Sequence, residues 1–385
     1  MKITGTATDS QQTDASGNYS FINLGPGNYT VSEESQSGWL QTVPLFPATY
    51  SFTIISGSNF SGYDFGNFQY RTITGMSFND VNGNGIKDGG ESGLQNWRIR
   101  LSGAKTDSAL TDANGNYAFT QLIAGNYTIV EDAQNGWLQT LPVSSAYYTL
   151  TIPSDASYSD KDFGNFLLGI ISGQQYNDVN ANGIKDIDEN GIQNWKIKLS
   201  GAKTDSVLTD ANGTYSFAGL LVGAYTVSEV LQSGWIQTAP VTPGTFSFAV
   251  VSGSNFSGNA FGNFQLGSIS GMKLKDVNGN GVKDNGELGL QNWKIKLSGT
   301  KTDSVLTDAN GNYSFGSLQV GNYSVSEVVQ SGWLQTLPVG GTYPVDVTSG
   351  SAFTAKDFGN FQYGAISGTK FNDVNGNGVK ENGEN

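Results

Sequence analysis

Four twelve-residue loops carry the residues best suited to chemistry in this sequence. Each begins with Asp, places Asn at positions three and five and Gly at position six, and ends with Glu. Gly suits the sharp turn at position six because it has no β-carbon. The pattern D-x-[DN]-x-[DN]-G-x5-E offers only oxygen ligands, with a bidentate carboxylate at its end, and such a set suits Ca²⁺. The loops span residues 80–91, 178–189, 276–287 and 373–384.

Six positions in each loop are candidate metal ligands. Positions one, three, five, nine and twelve contribute side-chain oxygens, and position seven contributes its backbone carbonyl. A single match could be a solvated turn, but four copies in register favour metal binding. We predict at least one Ca²⁺ per complete loop, held by Asp80, Asn82, Asn84, Ile86, Asp88 and Glu91; Asp178, Asn180, Asn182, Ile184, Asp186 and Glu189; Asp276, Asn278, Asn280, Val282, Asp284 and Glu287; and Asp373, Asn375, Asn377, Val379, Glu381 and Glu384.

The loops belong to a tandem repeat with a period of 98 residues. Trp39, Trp137, Trp235 and Trp333 keep this spacing, and the last loop comes one residue early. A unit of this size can fold as a domain, whereas a short solenoid repeat needs its neighbours. The predicted organisation is a partial repeat at 1–70, full repeats at 71–168, 169–266 and 267–363, and a first strand plus loop at 364–385.

Each repeat has the sequence pattern of β-structure. The segment WKIKLSG alternates apolar and charged residues, which is typical of a half-buried strand, and VLTDANGTYSF contains an Asn-Gly hairpin signal. About seven strands per repeat, with frequent turn signals, predict an all-β antiparallel sandwich. The repeats follow one another without a Pro-rich or Gly/Ser-rich linker, so we expect a rod-shaped array.

Composition excludes several classes of function. The formal net charge is −13, so the chain offers no basic surface for nucleic acid or for an anionic membrane. It contains no run of about 18 apolar residues, so we predict no membrane insertion. It also lacks His and Cys, the usual bases and nucleophiles near neutral pH, and repeated carboxylates suit structure better than catalysis. We therefore predict that the chain is not an enzyme.

The sequence resembles the calcium-binding B repeats of bacterial serine–aspartate-repeat surface proteins, the SdrD B-like domains, which are related to collagen-adhesin B-type domains. The segments ISGMKLKDVNGNGVKDNGELGLQNWKIKLSG, TDANGNYSF, GNYSVSE and GWLQT carry the resemblance. It implies an immunoglobulin-like or prealbumin-like sandwich, an extracellular stalk role at a prokaryotic cell surface, and two or three Ca²⁺ per domain. Two further sets of Asp residues could be either additional calcium ligands or ordinary turn residues: Asp112, Asp210 and Asp308, and Asp64, Asp162 and Asp357. The second set has Ala260 in place of Asp in one repeat, so a site built there would be missing from that repeat.

The resemblance also raises the question of a covalent cross-link. Many collagen-adhesin B-type domains join a Lys to an Asn with the help of a Glu in Y-x-V-x-E, and Glu131 and its repeats fit that Glu. Two residues before the loop Asp, where we place the Lys, this chain has Phe78, Tyr176, Leu274 and Phe371. We therefore predict no isopeptide bond and interpret the Glu residues as buried hydrogen-bond acceptors or metal ligands.

The two ends of the sequence are complementary. Residues 1–70 contain no counterpart of the first strand and loop of a repeat, whereas residues 364–385 contain only these. We predict identical copies joined head to tail by donation of residues 365–373, in a calcium-stabilised filament. The alternative is a stalk or adhesin segment of a longer surface protein that binds a matrix or carbohydrate ligand. Neither a serine–aspartate stalk nor an LPxTG-type anchor is present, so we do not expect a complete wall-anchored adhesin.

Overall fold

The computed structural model describes residues 1–153 and 156–385, and all regular structure in these residues is β-strand. Nothing in this part of the chain forms a helix that could span a membrane. The backbone divides into two compact units. The first contains Met1–Ile170, Ala218–Ala224 and Ala249–Asn255, and the second contains Ile171–Phe217, Tyr225–Phe248 and Phe256–Asn385.

In the first unit, residues 71–168 form a complete repeat of two four-stranded sheets. Its strands are β7 (Arg71–Asn79), β8 (Arg98–Gly103), β9 (Asp107–Leu110), β10 (Asn116–Leu122), β11 (Gly125–Glu131), β12 (Trp137–Leu141), β13 (Tyr147–Ile152) and β14 (Phe163–Leu167). One sheet has the order β10-β7-β14-β12 and the other β13-β11-β8-β9. Burial alternates along β8, where Ile99 and Leu101 point into the core and their neighbours face solvent.

The first and last strands of the repeat lie side by side and run parallel. Phe163, Gly164 and Asn165 of β14 are in register with Ser77, Phe78 and Asn79 of β7. The predicted fold class, an all-β antiparallel sandwich, is confirmed, and this parallel pair is an exception within it. The strand count is also higher than the expected seven, because β9 forms a short edge strand beside β8. Hairpin signals are local, whereas a pairing of two strands about 90 residues apart leaves no local signal.

Residues 1–70, also in the first unit, form a more open structure. The strands are β1 (Lys2–Gly5), β2 (Asp9–Ser10), β3 (Gly27–Ser32), β4 (Trp39–Val43), β5 (Thr49–Ile54) and β6 (Gly66–Gln69). One sheet, β2-β1-β3-β5, is complete, but the second contains only β4 and β6. Only Ile3, Tyr29 and Val31 are buried in this core, because no strand within residues 1–70 takes the place that β7 has in the first repeat.

The second unit contains most of the second repeat and all of the third. The second repeat has β15 (Gly169–Asn177), β16 (Lys196–Gly201), β17 (Asp205–Leu208), β18 (Thr214–Leu220), β19 (Gly223–Glu229), β20 (Trp235–Ala239), β21 (Thr245–Val250) and β22 (Asn255–Gln265). The third has β23 (Gly267–Lys275), β24 (Lys294–Gly299), β25 (Asp303–Leu306), β26 (Asn312–Leu318), β27 (Gly321–Glu327), β28 (Trp333–Leu337), β29 (Thr342–Val347), β30 (Ala352–Phe353) and β31 (Phe358–Gln362).

The third repeat has the same two-sheet arrangement as the first. Its sheets have the orders β26-β23-β31-β28 and β25-β24-β27-β29, and β23 again runs parallel to β31. Residues 363–373 carry no strand in this structure. The predicted donor segment, residues 365–373, therefore forms no strand with its own chain, and Asn372 N–H donates to the Asn385 carbonyl (3.0 Å).

Two glycines of the first repeat have a left-handed backbone, but only one of them lies in a crowded place. Comparing their Ala variants therefore distinguishes the free-energy cost of the backbone conformation from that of a steric clash. Gly115 (φ 83°) and Gly136 (φ 84°) have nearly the same conformation. A β-carbon on Gly115 would lie 2.3 Å from the Ser77 carbonyl oxygen, but one on Gly136 would meet only a Leu167 methyl at 3.7 Å. Gly115→Ala should destabilise the first repeat by about 2–5 kcal/mol, and Gly136→Ala by about 1–2 kcal/mol.

Calorimetry of the full chain measures this difference, because the weakened repeat should melt as a separate, earlier transition. Equal shifts for the two variants would contradict the packing described around Gly115.

Candidate functional site

The four loops have one hydrogen-bond pattern. In the first, the two carboxylate oxygens of Asp80 accept from the backbone N–H groups of Asn84 (3.1 Å) and Gly85 (2.7 Å). The Glu91 carboxylate accepts from Val81 (2.7 Å) and Asp88 (2.9 Å). The corresponding bonds recur in the other three loops. Each loop is therefore closed by its own first and last carboxylates.

The side chains at positions three, five and nine also meet. The amide nitrogens of Asn82 and Asn84 donate to the same Asp88 oxygen, at 2.8 and 2.9 Å, and these bonds lower the pKa of Asp88. A half-turn of each amide about its own bond would present its oxygen in place of its nitrogen. Gly85 has the positive φ expected at position six (73°). The apolar side chain at position seven, Ile86, stays exposed, consistent with a role for its carbonyl alone.

The donor set of each loop fits a hard cation. Asp80, Asp178 and Asp276 are almost fully buried, and so are Glu91, Glu189 and Glu384, although a carboxylate is costly to remove from water. In the described residues, 1–153 and 156–385, no three Asp, Glu, His or Cys side chains gather as a group that could hold a metal ion. The predicted sites accordingly depend on amide and carbonyl oxygens as well as carboxylates, and their occupation by Ca²⁺ stays a prediction.

The additional Asp residues occupy two kinds of position. Asp112 is a turn residue whose carboxylate accepts from the backbone of Asn114 and Asn116, both at 2.8 Å. Asp162 and Asp357 accept from the backbone N–H groups of Met76 and Met272, both at 2.8 Å. In the third repeat, Asp308 and Asp357 line one cavity of about 570 Å³. Calcium binding by either set stays a prediction, and the turn role is sufficient to explain Asp112.

The repeated tryptophans pack in pairs. Trp97 with Trp137, Trp195 with Trp235, and Trp293 with Trp333 meet edge to face, with ring centroids 5.3, 5.3 and 5.4 Å apart. The first member of each pair is buried. This geometry favours a packing role for the GWLQT tryptophans in the three full repeats. Trp39, in the N-terminal partial repeat, is 43% exposed.

A second polar cluster lies beneath the loops, where the first and last strands pair. In the first repeat, Asn165 donates its amide hydrogens to Glu131 (2.8 Å) and Ser77 (3.1 Å). In the second, Asn263 donates to Glu229 (3.0 Å) and accepts from Gln175. Burial raises the pKa of Glu131 and of Glu229 to about 7, against the opposing effect of these hydrogen bonds. The interpretation of these Glu residues as buried acceptors thus agrees with the structure.

The third repeat departs from this arrangement and corrects the sequence analysis. The residue that corresponds to Ser77 and Gln175 is Lys273, three residues before the loop Asp. Its Nζ lies 2.7 Å from Glu327 Oε2, and both side chains are 0% exposed. The buried lysine therefore lies one residue before Leu274, the position at which the sequence predicted a lysine would have to stand. The signal that could have found Lys273 is a lysine at the position where the first two repeats have the uncharged residues Ser77 and Gln175.

Neighbouring repeats are also joined by a recurring contact, here called the Ser-Gly clip (residues 252–253 and 349–350). Ser349 donates its hydroxyl to Asn177 Oδ1 (2.5 Å) and accepts from the Gln265 backbone (2.7 Å). Its own N–H binds the Val179 carbonyl (3.1 Å), and Gly350 N–H binds the Gln265 carbonyl (2.8 Å).

In the first unit, Ser252 and Gly253 make the corresponding bonds to Asn79, Val81 and Leu167. The clip therefore contacts residues on both sides of the first loop aspartate, Asp80 or Asp178, of the preceding repeat.

These features define a class of protein: tandem β-sandwich repeats, each opening with an acidic loop of calcium-binding pattern. The sequence profile of the SdrD B-like domain matches residues 71–171, 169–246 and 267–360. The chain belongs to the SdrD B-like domain family.

The chain is similar to two staphylococcal proteins. It is 27% identical over 371 residues to serine-aspartate repeat-containing protein F of Staphylococcus epidermidis, covering 84% of this chain and 23% of that protein. It is 27% identical over 372 residues to serine-aspartate repeat-containing protein D of Staphylococcus aureus, covering 84% of this chain and 27% of that protein. The chain thus spans about a quarter of the length of these relatives. Its family places it at the bacterial cell surface in a structural role.

Among solved structures, BcpA, the major pilin subunit of Bacillus cereus, aligns with 77% of this chain and 100% of its own, at 11% identity and a TM-score of 0.36. The Bacillus anthracis TIE protein aligns with 94% of this chain and 75% of its own, at 14% identity and a TM-score of 0.34.

The buried Glu residues predict a pH dependence of stability. The pKa of Glu131 rises from 4.5 to about 7 on folding. Protonation is thus favoured in the folded state, so this stabilisation is complete below pH 4.5 and is lost as the pH rises through 7. The change is on the order of 3 kcal/mol. Glu131→Gln should make the stability of the first repeat nearly constant over this range.

Hydrogen–deuterium exchange of the full chain in EGTA, corrected for intrinsic rates, measures this effect in peptides from β11. The second repeat of the same molecule keeps Glu229 and serves as the control. If the stability of the first repeat keeps its full pH dependence in Glu131→Gln, the dependence arises from groups other than Glu131.

Proposed function

We propose that this chain is a non-catalytic structural segment in which bound calcium stabilises a series of β-sandwich repeats. The observation that carries the proposal is the loop geometry, which recurs with the same hydrogen bonds in all four loops. Bound Ca²⁺ would supply a multivalent cross-link among loop oxygens and would offset the repulsion between clustered carboxylates. The six residues at positions one, three, five, seven, nine and twelve of each loop would hold it.

The Ser-Gly clip supports a defined connection between repeats. It uses the same kinds of atoms at both joints, a serine hydroxyl and backbone groups. These atoms form hydrogen bonds with the residues at the start of an acidic loop. A loop that is fixed by metal would present a fixed surface to the clip. We therefore propose that calcium limits motion at these joints and makes the array stiff.

The calcium proposal predicts a loss of stability on chelation. A ligand at 1,000 times its dissociation constant stabilises a folded domain by about 4 kcal/mol. Excess EGTA should therefore lower the melting temperature and increase proteolysis near residues 80–91. Glu91→Gln should reduce the calcium content by one ion per chain.

Asp107→Asn is the matched control, because Asp107 forms a surface ion pair with Lys105 and belongs to no loop. Elemental analysis and calorimetry give the two readings. Unchanged melting in EGTA, together with no bound metal, would remove calcium from the proposal.

The open core of residues 1–70 supports a further step, the donation of a strand. A cavity of about 810 Å³ lies where the repeats have their first strand, and Phe21, Phe65 and Asn67 line it. The counterparts of these residues in the first repeat, Phe119, Phe163 and Asn165, are buried. Exposed core of this kind can be covered by an added strand.

We propose residues 365–373 of a second copy as the occupant. This segment forms no strand with its own chain, and Ile366 is fully exposed. Phe371 corresponds to Phe78, Tyr176 and Leu274, each at most 1% exposed. Burying two large apolar side chains contributes roughly 3–6 kcal/mol.

Charge complementarity supports the same occupant. Glu33, on the cavity wall, accepts a hydrogen bond from Asn67 (2.7 Å). Lys370 corresponds to Lys273, so a donated strand would rebuild across the contact the ion pair that the third repeat contains. Repetition of this heterologous contact would give a head-to-tail filament.

A second candidate function is a stalk or adhesin segment within a longer surface protein, where a preceding part of the same chain would fill the cavity. The observation that favours it is length, because the chain spans about a quarter of its relatives. In that case a matrix or carbohydrate ligand would be bound elsewhere in the longer protein or at exposed aromatics such as Trp39.

The two candidates differ in assembly. Under strand donation, the purified chain should form filaments, and removal of residues 364–385 should leave monomers. Phe371→Asp should weaken assembly because it places a charge in an apolar core, whereas Val374→Asp should not, since its counterpart Val277 is 62% exposed.

Electron microscopy and light scattering measure assembly, and circular dichroism checks the fold. Filaments of unchanged repeat length from the truncated chain would rule out strand donation. A monomeric wild-type chain would favour the stalk segment.

A further inference from the structure

Residues 1–70 contain a turn with the same sequence and conformation as the Ser-Gly clip. Residues 56–62 and 252–258 both have the sequence SGSNFSG. In both, the second serine accepts a hydrogen bond from the N–H three residues earlier, at 3.0 and 2.9 Å. The glycine after the first serine has a φ of 79° in one and 76° in the other. This segment, here called the N-terminal turn (residues 55–58), therefore already has the conformation that the clip uses.

The N-terminal turn differs from the clip in its surroundings. A β-carbon added to Gly350 of the clip would lie 2.8 Å from the Gln265 side chain of the preceding repeat. One added to Gly57 would have no described atom within 4 Å beyond its chain neighbours. In the part of the chain that the structure describes, Ser56 and Gly57 are exposed and make no hydrogen bond. The polar groups that the clip uses are thus available for a further contact.

The surface that receives the clip has a counterpart on the third repeat. In the second repeat, the clip bonds to the backbone of the last strand at Gln265 and to the carbonyl of Val179. The corresponding residues of the third repeat are Gln362 and Val277. Val277 is 62% exposed, whereas Val179 is 36% exposed. Among the described residues nothing donates to the Val277 carbonyl. The third repeat therefore presents a receiving surface that its own chain does not cover.

The chain leaves the third repeat with the spacing of an internal joint. One residue separates Gln265 from Gly267, where the third repeat begins, and one residue separates Gln362 from Gly364. If residues 365–373 complete the core of a second copy, that copy follows the third repeat as the third repeat follows the second. Its N-terminal turn then takes the place on the third repeat that the clip takes on the second.

We propose that the N-terminal turn of one copy docks on the third repeat of a second copy and forms the clip between chains. Ser56 N–H would donate to the Val277 carbonyl, and Gly57 N–H to the Gln362 carbonyl. The Ser56 hydroxyl would accept from Gln362 N–H. All three bonds use backbone groups of the receiving repeat, so they do not depend on its side chains. The inference rests on the head-to-tail assembly proposed above and adds a second contact to each junction.

One side chain makes this junction weaker than the internal joints. There the clip serine donates its hydroxyl to Asn79 or Asn177, but the third repeat has Lys275 at that position. Lys275 Nζ donates to Gln362 Oε1 (3.1 Å), and an ammonium group accepts no hydrogen bond. Since one neutral hydrogen bond changes an equilibrium by about two- to tenfold, Lys275→Asn should lower the concentration needed for assembly by about that factor.

The test is a disulfide between copies. The chain contains no Cys, so an introduced pair can form only the intended bond or a symmetric one. A β-carbon on Gly350 would lie 3.9 Å from Gln265 Cβ, which suits a disulfide. The full chain with Gly57→Cys and Gln362→Cys should therefore give a ladder of covalent oligomers with oxidised glutathione. A protease map should contain the peptide pair 57–362.

Gly38→Cys with Gln362→Cys is the matched control, because Gly38 has a similar φ (85°), likewise has no described atom within 4 Å and lies outside the N-terminal turn. It should give no 38–362 peptide. The variant with Gly350→Cys and Gln265→Cys should close a disulfide within one chain. Adding Lys275→Asn to the Gly57 and Gln362 pair should lower the concentration for half-maximal cross-linking by about two- to tenfold.

Electron microscopy of the same samples separates this contact from strand donation, and circular dichroism confirms the fold. Filaments without the 57–362 peptide would overturn the docking of the N-terminal turn and leave strand donation intact. The 57–362 peptide without filaments would support the docking and overturn strand donation. A folded chain that gives neither would overturn both, and equal cross-linking through Gly38→Cys would overturn the docking.

Discussion

The pairing of the first strand of a repeat with its last strand, parallel in the first and third repeats, organises the rest of the structure. In each full repeat it places the backbone N–H of the loop aspartate 2.8–2.9 Å from the carbonyl of the buried asparagine, in the pairs Asp80 with Asn165, Asp178 with Asn263 and Asp276 with Asn360. The acidic loop thus begins at a point fixed by the closing strand. Residues 1–70 show the opposite case, because without this strand their second sheet has two strands and the aromatic core opens into a cavity.

This pairing also sets the electrostatic character of the interior. In each full repeat it holds one Glu and one Asn beneath the loop, and the residue opposite them on the first strand determines whether the cluster is neutral or charged. With Ser77 or Gln175 the cluster is a neutral hydrogen-bond network around a carboxyl whose pKa is raised. With Lys273 it becomes an ion pair. One substitution at one position therefore separates a polar network from a buried ion pair, while the surrounding strands stay the same.

The features that could be predicted from the sequence are those that depend on residues close together in the chain and that recur in every repeat. Strand alternation, Asn-Gly turns and the loop pattern lie within a few residues of one another, so the all-β class, the repeats and the loop ligand sets could be read directly. The parallel pair could not, because it joins residues about 90 positions apart. Lys273 was missed for a related reason. Both Lys273 and its neighbour Leu274 are 0% exposed, so period-two alternation does not indicate which of them faces the asparagine of the closing strand.

The Ser-Gly clip has a consequence for how such a chain can change in length. At both joints it uses a serine, a glycine and backbone groups, and on the other side the clip bonds to the side chain of the asparagine before the loop, Asn79 or Asn177. Residues 193–213 and 291–311 differ at one position, Ala202 against Thr300. A joint with so few side-chain requirements lets one repeat follow another without compensating mutations. Duplication or loss of a whole repeat would then lengthen or shorten the array by a fixed step while every junction kept the same contacts.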